Sequence, residues 1–204
     1  MSTPPKTVLH ASESEANAIR QAVRQADPST LGPSRVIADF GHVPGLVRLL
    51  SDARVSGPIY DLPRPIDAES VTRWVAEAQA QRLAGEGLLF LTLDEDGEIA
   101  GYSRITVWPE RSSAELAGAM RADRQGRGQG GSGAAHTFGW IFETLGVRLM
   151  CLTAALDNVR SAKLIEAAGF RPMGERDSSR PDGTIRRSLY WEMTHDDWRR
   201  RHRL

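Results

Sequence analysis

A strand, a glycine-rich turn, a helix and a second strand follow one another between residues 113 and 153. The first strand is predicted at residues 113–120, and the run Gln125-Gly126-Arg127-Gly128-Gln129-Gly130-Gly131 follows it. Apolar residues recur at helical spacing over 134–145, and the nearly continuous apolar stretch 147–153 is typical of a strand buried on both faces. Two strands joined through a helix run parallel, with a right-handed crossover. The segment therefore requires a sheet that contains a parallel pair.

The other predicted elements surround this unit. Residues 88–93 and 99–105 form a hairpin whose turn contains Asp96-Gly97, a strong hairpin signal. A short strand at 36–38 and two helices precede it, and a helix and a second hairpin close the chain. Asp67 is placed to cap the second of the two helices. The elements predict an α/β (α+β) fold with a mixed, mostly antiparallel central sheet flanked by helices.

Length and composition limit what such a chain can do. At 204 residues it suits one domain, which we expect at 35–204, after an N-terminal arm at 1–34 that is partly helical or disordered. Lys plus Arg and Asp plus Glu both count 26, so we expect no nucleic-acid partner. No apolar stretch approaches the roughly 20 residues of a membrane span. With a single cysteine, Cys151, and no secretory signal, we expect a cytoplasmic protein.

The glycine run predicts a binding site for an anion. Small residues let the backbone approach a ligand closely, and the following helix directs unpaired N–H groups and the positive end of its dipole toward it. A pyrophosphate that also contacts Arg127 would fit. The simpler alternative is a flexible turn. A mononucleotide P-loop is excluded because no Gly-Lys-Ser/Thr follows. The dinucleotide fingerprint Gly128-x-Gly130-x-x-Gly133, with Asp157 downstream, is matched literally but lacks an abutting hydrophobic strand.

The form Gln125-x-x-Gly128-x-Gly130 resembles the coenzyme A loop of the GCN5-related N-acetyltransferases (GNAT). Downstream, Asn158-Val159-Arg160-Ser161 and Gly169-Phe170 resemble the Asn-x-x-Ser element and the Gly-Phe ending of that family. Trp74 and Gly101-Tyr102 resemble the RimJ/RimL-like branch. The resemblance covers roughly residues 35–193. It implies a single GNAT-like domain with a splayed parallel strand pair, and acetyl-CoA as co-substrate.

The resemblance also implies which residues hold the coenzyme. The backbone of Met120 and Ala122 would meet the pantetheine arm, Asn158 would bond it from the neighbouring strand, and residues 125–131 would take the pyrophosphate. A backbone N–H near Met120 could polarise the thioester carbonyl. The complete set of candidates is Met120, Arg121, Ala122, Gln125, Gly126, Arg127, Gly128, Gln129, Gly130, Gly131, Asn158 and Ser161.

The catalytic candidates are fewer. Attack by an amine needs an uncharged nitrogen, so a base helps, and Glu115 lies where several relatives carry a general-base glutamate. The alternative is that Glu115 is only an exposed carboxylate on the strand. Relatives often supply the acid from a tyrosine seven residues after the asparagine, where this chain has Ile165. The remaining candidate acids are Ser161 and a water molecule. The alternative for Ser161 is that it only caps its helix. Cys151 is expected to be a small core residue.

The function predicted from these residues is transfer of an acetyl group from acetyl-CoA to a primary amine by direct attack in a ternary complex. The acceptor is either a protein N-terminus or a small-molecule amine, which Asp39, Asp61 and Glu69 could attract. No metal is expected, because no histidine has metal-ligand spacing, and no membrane partner is expected. A homodimer is left open. The alternatives are a CoA-binding regulatory module that has lost catalysis and an NAD(P)-binding protein.

Overall fold

The computed structural model describes residues 3–125, 129–180 and 183–202 of the chain. Within them lie seven α-helices and seven strands. The helices are α1 (Glu13–Gln25), α2 (Val43–Ser51), α3 (Ala53–Ser56), α4 (Ala68–Ala84), α5 (Gln129–Leu145), α6 (Val159–Ala167) and α7 (His195–His202). The strands are β1 (Arg35–Ile37), β2 (Gly87–Leu93), β3 (Ile99–Trp108), β4 (Ser113–Met120), β5 (Leu149–Ala155), β6 (Arg171–Ser179) and β7 (Ile185–Thr194).

The strands form one mixed sheet in the order β1-β2-β3-β4-β5-β7-β6. Strands β4 and β5 are parallel, and every other neighbouring pair is antiparallel. The predicted fold class is therefore confirmed, including the parallel pair joined through α5. Strand β5 begins at Leu149, two residues later than expected, and α6 begins at Val159, two residues earlier, because Asn158 caps it.

Helices cover the two faces of the sheet differently. On one face, called the α1/α5 face, Ile19 and Val23 of α1 and the aromatic rings of α5 pack on Phe90 and Ile105. The opposite face, called the α2/α4 face, carries a second apolar cluster under α2 and α4, over strands β2 and β3. Successive strand residues alternate between the two clusters, as the pleat requires.

Local signals set the ends of the elements that frame the site. Asp67 accepts a hydrogen bond from Ser70 N at the start of α4, and the Ser70 hydroxyl accepts one from Asp67 N in return. At the C-terminal end of α5, Gly146 adopts a positive φ of 72° and ends the helix. The sequence also predicts that the last hairpin turns near Pro181-Asp182-Gly183, and of these residues Pro181 and Asp182 lie outside the described ones. None of the described helices is long and apolar enough to cross a membrane.

The segment before β1 packs on the sheet. Residues 3–11, called the strap, lie on the α2/α4 face against strands β6 and β7. Ala11 N then donates to Glu110 O in the turn between β3 and β4. From there the chain passes to the opposite face, where α1 buries Ile19 and Val23 in the core. The division of the chain at residue 34 stays a prediction.

Candidate functional site

Strands β4 and β5 pair over only three residues each. Their parallel register ends where Glu115 faces Cys151. Beyond that point β4 continues to Met120 and β5 to Ala155 without pairing to each other. The two strands therefore part and leave a V-shaped gap at their carboxyl ends. Open α/β sheets bind ligands in crevices of this kind.

Glu115 lies at the apex of the gap. Its side chain is only 4% exposed, and its Oε1 accepts a hydrogen bond from Thr153 Oγ1 at 3.2 Å, across the gap. The alternative that Glu115 is an exposed strand carboxylate is thus wrong, because neighbouring elements cover this part of the α2/α4 face. Sequence reasoning missed Thr153, although the pleat places it on the same face as Cys151.

Backbone donors on β4 point into the gap. Arg121 N donates to Ala100 O on β3 at 2.7 Å. Because alternate residues of a strand direct their N–H groups to opposite sides, Gly118 and Met120 direct theirs away from β3, toward the unpaired edge. These N–H groups lie in a row along the gap, where they could donate hydrogen bonds to a linear ligand. This arrangement fits the pantetheine amides and thioester carbonyl of acetyl-CoA.

Apolar side chains flank the mouth of the gap. Met120 ends β4, and Leu156 and Val159 follow β5; they are 40, 47 and 58% exposed. Large apolar side chains exposed together at a cleft indicate a binding surface for an apolar ligand. Sequence reasoning missed Leu156 and Val159, which the position just after a buried strand could have indicated.

Two of the predicted coenzyme residues use their side chains within the protein. Gln125 Nε2 donates to Met120 O at 2.8 Å, and Gln125 Oε1 accepts from Arg160 at 3.2 Å, so this side chain connects the end of β4 to α6. Arg121 forms ion pairs with Asp123 and Asp94, which raise the pKa of its guanidinium. Ala122 lies in the following turn, where its carbonyl accepts from Gln125 N.

The remaining part of the predicted pyrophosphate cradle is only partly described. Gly126, Arg127 and Gly128 lie outside the described residues. The backbone of residues 129–131 forms the first turn of α5, and their side chains are outside the description as well. Helix α5 thus begins within the glycine run, at Gln129, five residues earlier than the apolar spacing over 134–145 predicts, and it places a helix N-terminus at the predicted anion site.

Asn158 and Ser161 lie on the β5 side of the gap. Asn158 Oδ1 accepts from Ser161 N at 3.1 Å, so Asn158 caps α6 and Ser161 is its third residue. The alternative that Ser161 is the cap is therefore wrong. The amide NH₂ of Asn158 and the hydroxyl of Ser161 have no partner among the described residues, so both can serve a ligand.

A polar network continues from Glu115 across the α2/α4 face. Cys151 is in register with Glu192 on β7, and Glu192 Oε1 accepts from the Tyr190 hydroxyl at 2.5 Å. Burial raises the pKa of Glu192, but hydrogen bonds from Thr7 and Tyr190 outweigh it and leave that pKa below its usual value. Burial, together with the Glu115 carboxylate, raises the pKa of the Cys151 thiol well above its usual value. Cys151 is thus a core residue and no thiolate nucleophile.

On the same face, the β6–β7 hairpin contacts the segment between α3 and α4. The Arg186 guanidinium lies 4.7 Å from the centre of the Tyr60 ring and donates to Pro58 O at 2.5 Å, so it connects the β6–β7 hairpin to the segment between α3 and α4. Burial and the nearby Asp61 raise the pKa of Tyr102. Of the three predicted amine-attracting acids, only Asp61 lies here.

The other two predicted acids serve their own helical turns. Asp39 caps the turn Phe40–His42 and pairs with His42, while Glu69 pairs with Arg73 one turn along α4. A cavity of 330 Å³ lies between α2 and the end of β4, lined in part by Arg48, Glu98 and Arg121. It opens beside the predicted coenzyme site, away from Glu115. Among the described residues, no cluster of His, Cys, Asp and Glu could hold a metal ion.

Comparison with known proteins gives a consistent result. The fold is similar to ribosomal-protein-S5-alanine acetyltransferase from Vibrio fischeri, with a TM-score of 0.67, 15% identity and coverage of 80% of this chain and 93% of that chain. It is also similar to spermidine N-acetyltransferase from Vibrio cholerae, solved with CoA and spermine, with a TM-score of 0.66, 14% identity and coverage of 80% and 96%.

A third similar structure is RimL, a ribosomal L7/L12 alpha-N-protein acetyltransferase solved with coenzyme A, with a TM-score of 0.67, 16% identity and coverage of 80% and 94%. A search of curated proteins found no match. The model of the acetyltransferase (GNAT) domain matches residues 35–171. The chain therefore belongs to the GNAT acetyltransferase family.

Proposed function

We propose that this protein transfers the acetyl group of acetyl-CoA to a primary amine by direct attack in a ternary complex. The observation that carries the proposal is the position of Glu115, a carboxylate at the apex of the gap where the parallel strands part. Acetyl-CoA supplies an activated acyl group. This chain supplies a base, backbone donors and a buried surrounding.

Each group in the gap has a role in this reaction. The N–H groups of Gly118 and Met120 hold the thioester and stabilise the charge that develops on its oxygen. Glu115 accepts the proton that the amine must lose, and Thr153 orients that carboxylate. Met120, Leu156 and Val159 receive the apolar part of the pantetheine arm. Ser161, on the β5 side, is the candidate donor of a proton to the departing thiolate.

Direct attack is favoured over a covalent acyl-cysteine route. Cys151 is buried and its thiol pKa is raised, so the thiolate that such a route needs is not populated near neutral pH. Initial rates measured while both substrates are varied should give intersecting lines, as a ternary complex requires. Parallel lines, together with loss of turnover in Cys151→Ser, would contradict direct attack.

The second candidate function is a CoA-binding module without catalysis. Ile165, buried where many relatives carry a tyrosine acid, favours this alternative. Release of the coenzyme A thiol, measured with acetyl-CoA and a panel of primary amines, separates the two. Amine-dependent release supports the transferase. Binding of coenzyme A without release on any amine would favour the module, and protection from unfolding by NADH but not by coenzyme A would refute both.

Four further predictions remain proposals. The acceptor amine is either a polypeptide N-terminus or a small polyamine-like molecule, as the RimL and spermidine acetyltransferase structures illustrate for those proteins. Residues 35–204 form the catalytic domain. The cytoplasmic setting and a homodimer stay predictions.

A further inference from the structure

The chain enters the glycine run from the carboxyl end of β4, just beyond the part of β4 that the sheet holds. The register of β4 with β3 ends where Met120 faces Gly101, and β5 does not pair with this part of β4. Arg121 N still donates to Ala100 O. Within the described part of the chain, residues 122–125 pair with no strand, so other contacts set their position.

A carboxylate from the β2–β3 turn reaches this stretch. Asp94 Oδ2 accepts a hydrogen bond from Arg121 Nη1 at 3.0 Å and lies 3.9 Å from Arg124 Nη2. The side chain of Asp94 is only 6% exposed. Hydrogen bonds between charged groups are shorter and stronger than those between neutral groups. Asp94 therefore ties the end of β4 to a turn that lies 27 residues earlier in the chain.

The other oxygen of Asp94 holds the β2–β3 turn itself. Asp94 Oδ1 accepts from the N–H groups of Asp96 and Glu98, at 3.1 and 2.9 Å, and Asp94 N donates to Glu98 O at 2.8 Å. Burial raises the pKa of Asp94, but hydrogen bonds from Glu98 N–H and Arg121 outweigh it and leave that pKa below its usual value. At neutral pH Asp94 is thus a charged carboxylate, held by the turn on one side and by Arg121 on the other.

Arg121 extends this link to the turn that follows β4. Its Nε and Nη2 donate to the two oxygens of Asp123, at 2.8 and 3.2 Å, while Nη1 donates to Asp94. One guanidinium thus joins the β2–β3 turn to residues 122–124. The cavity of 330 Å³ lies between these residues and α2, so packing on that side is incomplete. The polar contacts therefore determine where residues 122–124 lie.

Gln125 connects these residues to the predicted coenzyme site. Its N–H donates to Ala122 O at 3.3 Å, and its side chain joins Met120 O to Arg160 on α6. Gln125 is also the first residue of the glycine run. A displacement of residues 122–124 would therefore displace the backbone N–H groups that are expected to hold the pyrophosphate.

We infer that Asp94 is a positioning residue for the coenzyme: through Arg121 it fixes residues 122–124, and with them the start of the glycine run, in the geometry that binds the pyrophosphate. Holding a loop in its bound shape improves affinity, because the loop does not have to be ordered when the ligand binds. Asp94 acts on binding and not on the transfer step. The inference rests on the proposed function, since acetyl-CoA is the donor in that reaction.

The experiment is the variant Asp94→Asn, which keeps an oxygen for the two N–H groups of the turn and removes the charge that Arg121 binds. The dissociation constant of coenzyme A, measured by isothermal titration calorimetry, should rise about fivefold or more. The KM for acetyl-CoA should rise in parallel, while kcat at saturating acetyl-CoA stays within about twofold. Charge alone predicts the opposite sign, because coenzyme A is an anion and would bind more tightly once a nearby carboxylate is removed.

Asp96→Asn is the matched control. It makes the same chemical change at an exposed side chain in the same turn and leaves Asp94 and Arg121 in place, so the dissociation constant should not change. Arg121→Met breaks the link and leaves the turn intact. The double variant Asp94→Asn/Arg121→Met should bind coenzyme A no more weakly than Arg121→Met, because the two residues act through the same contact.

Circular dichroism verifies that each variant folds. If Asp94→Asn does not fold, Asp123→Asn replaces it: it removes the other carboxylate that Arg121 binds, 54% exposed, and should also weaken the binding of coenzyme A.

Unchanged or tighter binding of coenzyme A in the folded variant would overturn the inference, and so would an equal loss in Asp96→Asn. Losses that add in the double variant would overturn the route through Arg121. A fall in kcat at an unchanged dissociation constant would contradict the inference as well, because Asp94 would then act on the transfer step. Failure of the unaltered protein to bind coenzyme A would instead refute the proposed function.

Discussion

The two halves of the α2/α4 face are covered by opposite kinds of contact. Over β2 and β3 the cover is apolar: Leu46, Leu50 and Trp74 pack on Leu91 and neighbouring side chains. Over β7 and β6 it is polar, and the strap binds Tyr190, Glu192 and Arg176 through hydrogen bonds. Apolar burial stabilises in proportion to area, whereas buried hydrogen bonds contribute little net stability but fix geometry. We therefore expect the first half to contribute most of the stability of this face and the second half to fix the position of the strap.

The largest effect is expected from Leu50→Ala in the apolar half. Leu50 is fully buried, so its truncation removes transfer free energy and leaves a cavity, and should lower the free energy of unfolding by about 2–5 kcal/mol. Urea unfolding measures this loss. Leu83→Ala on α4 is the control, since Leu83 is 78% exposed and its truncation should cost less than about 0.5 kcal/mol. Equal losses in the two variants would break the assignment.

A smaller effect is expected from Glu192→Gln in the polar half, about 1–3 kcal/mol. The folded-state pKa of Glu192 is lowered, so its contribution to stability is present above the unfolded-state pKa of about 4.3 and is lost as pH falls through the folded-state pKa. The difference in urea midpoint between the unaltered protein and the variant should therefore be larger at neutral pH than at a pH well below about 4.3, toward the folded-state pKa. A constant difference at both pH values would show that the charge of Glu192 is not what binds the strap.

The smallest effect is expected from Thr7→Val, about 1 kcal/mol, because Thr7 N–H still donates to Glu192 when the hydroxyl is gone. The double variant with Glu192→Gln sharpens the comparison. Its loss should be less than the sum of the two single losses, with a coupling of about 0.5–1 kcal/mol. Strict additivity would mean that strap and strand are energetically independent.

Much of the fold followed from local patterns in the sequence. Strand β4 has the bounds predicted for it, the Asp96-Gly97 turn joins β2 to β3, and Asp67 caps α4. These features depend on the pleat, on turn chemistry and on capping, which act over a few residues. The parallel pair followed from the order of the elements alone.

The environment of the candidate site did not follow in the same way. The position of Glu115 was predicted, but its burial depends on what covers the α2/α4 face. Thr7 and Glu192 are 185 residues apart, and a polar contact at that separation leaves no periodic signal in the sequence. The exchange of roles between Asn158 and Ser161 at the start of α6 came from a shift of two residues in the helix boundary. Sequence patterns fix such boundaries least well.

The central claim is that Glu115 is the base of an amine acetyl transfer, and Glu115→Gln tests it most directly. We predict that kcat falls by about 100-fold or more, that coenzyme A binds as before, and that the loss diminishes as pH rises and the free amine becomes available. Glu77→Gln, an exposed change on α4, should leave turnover unchanged. Turnover and a pH profile in Glu115→Gln that match those of the unaltered protein would contradict the account.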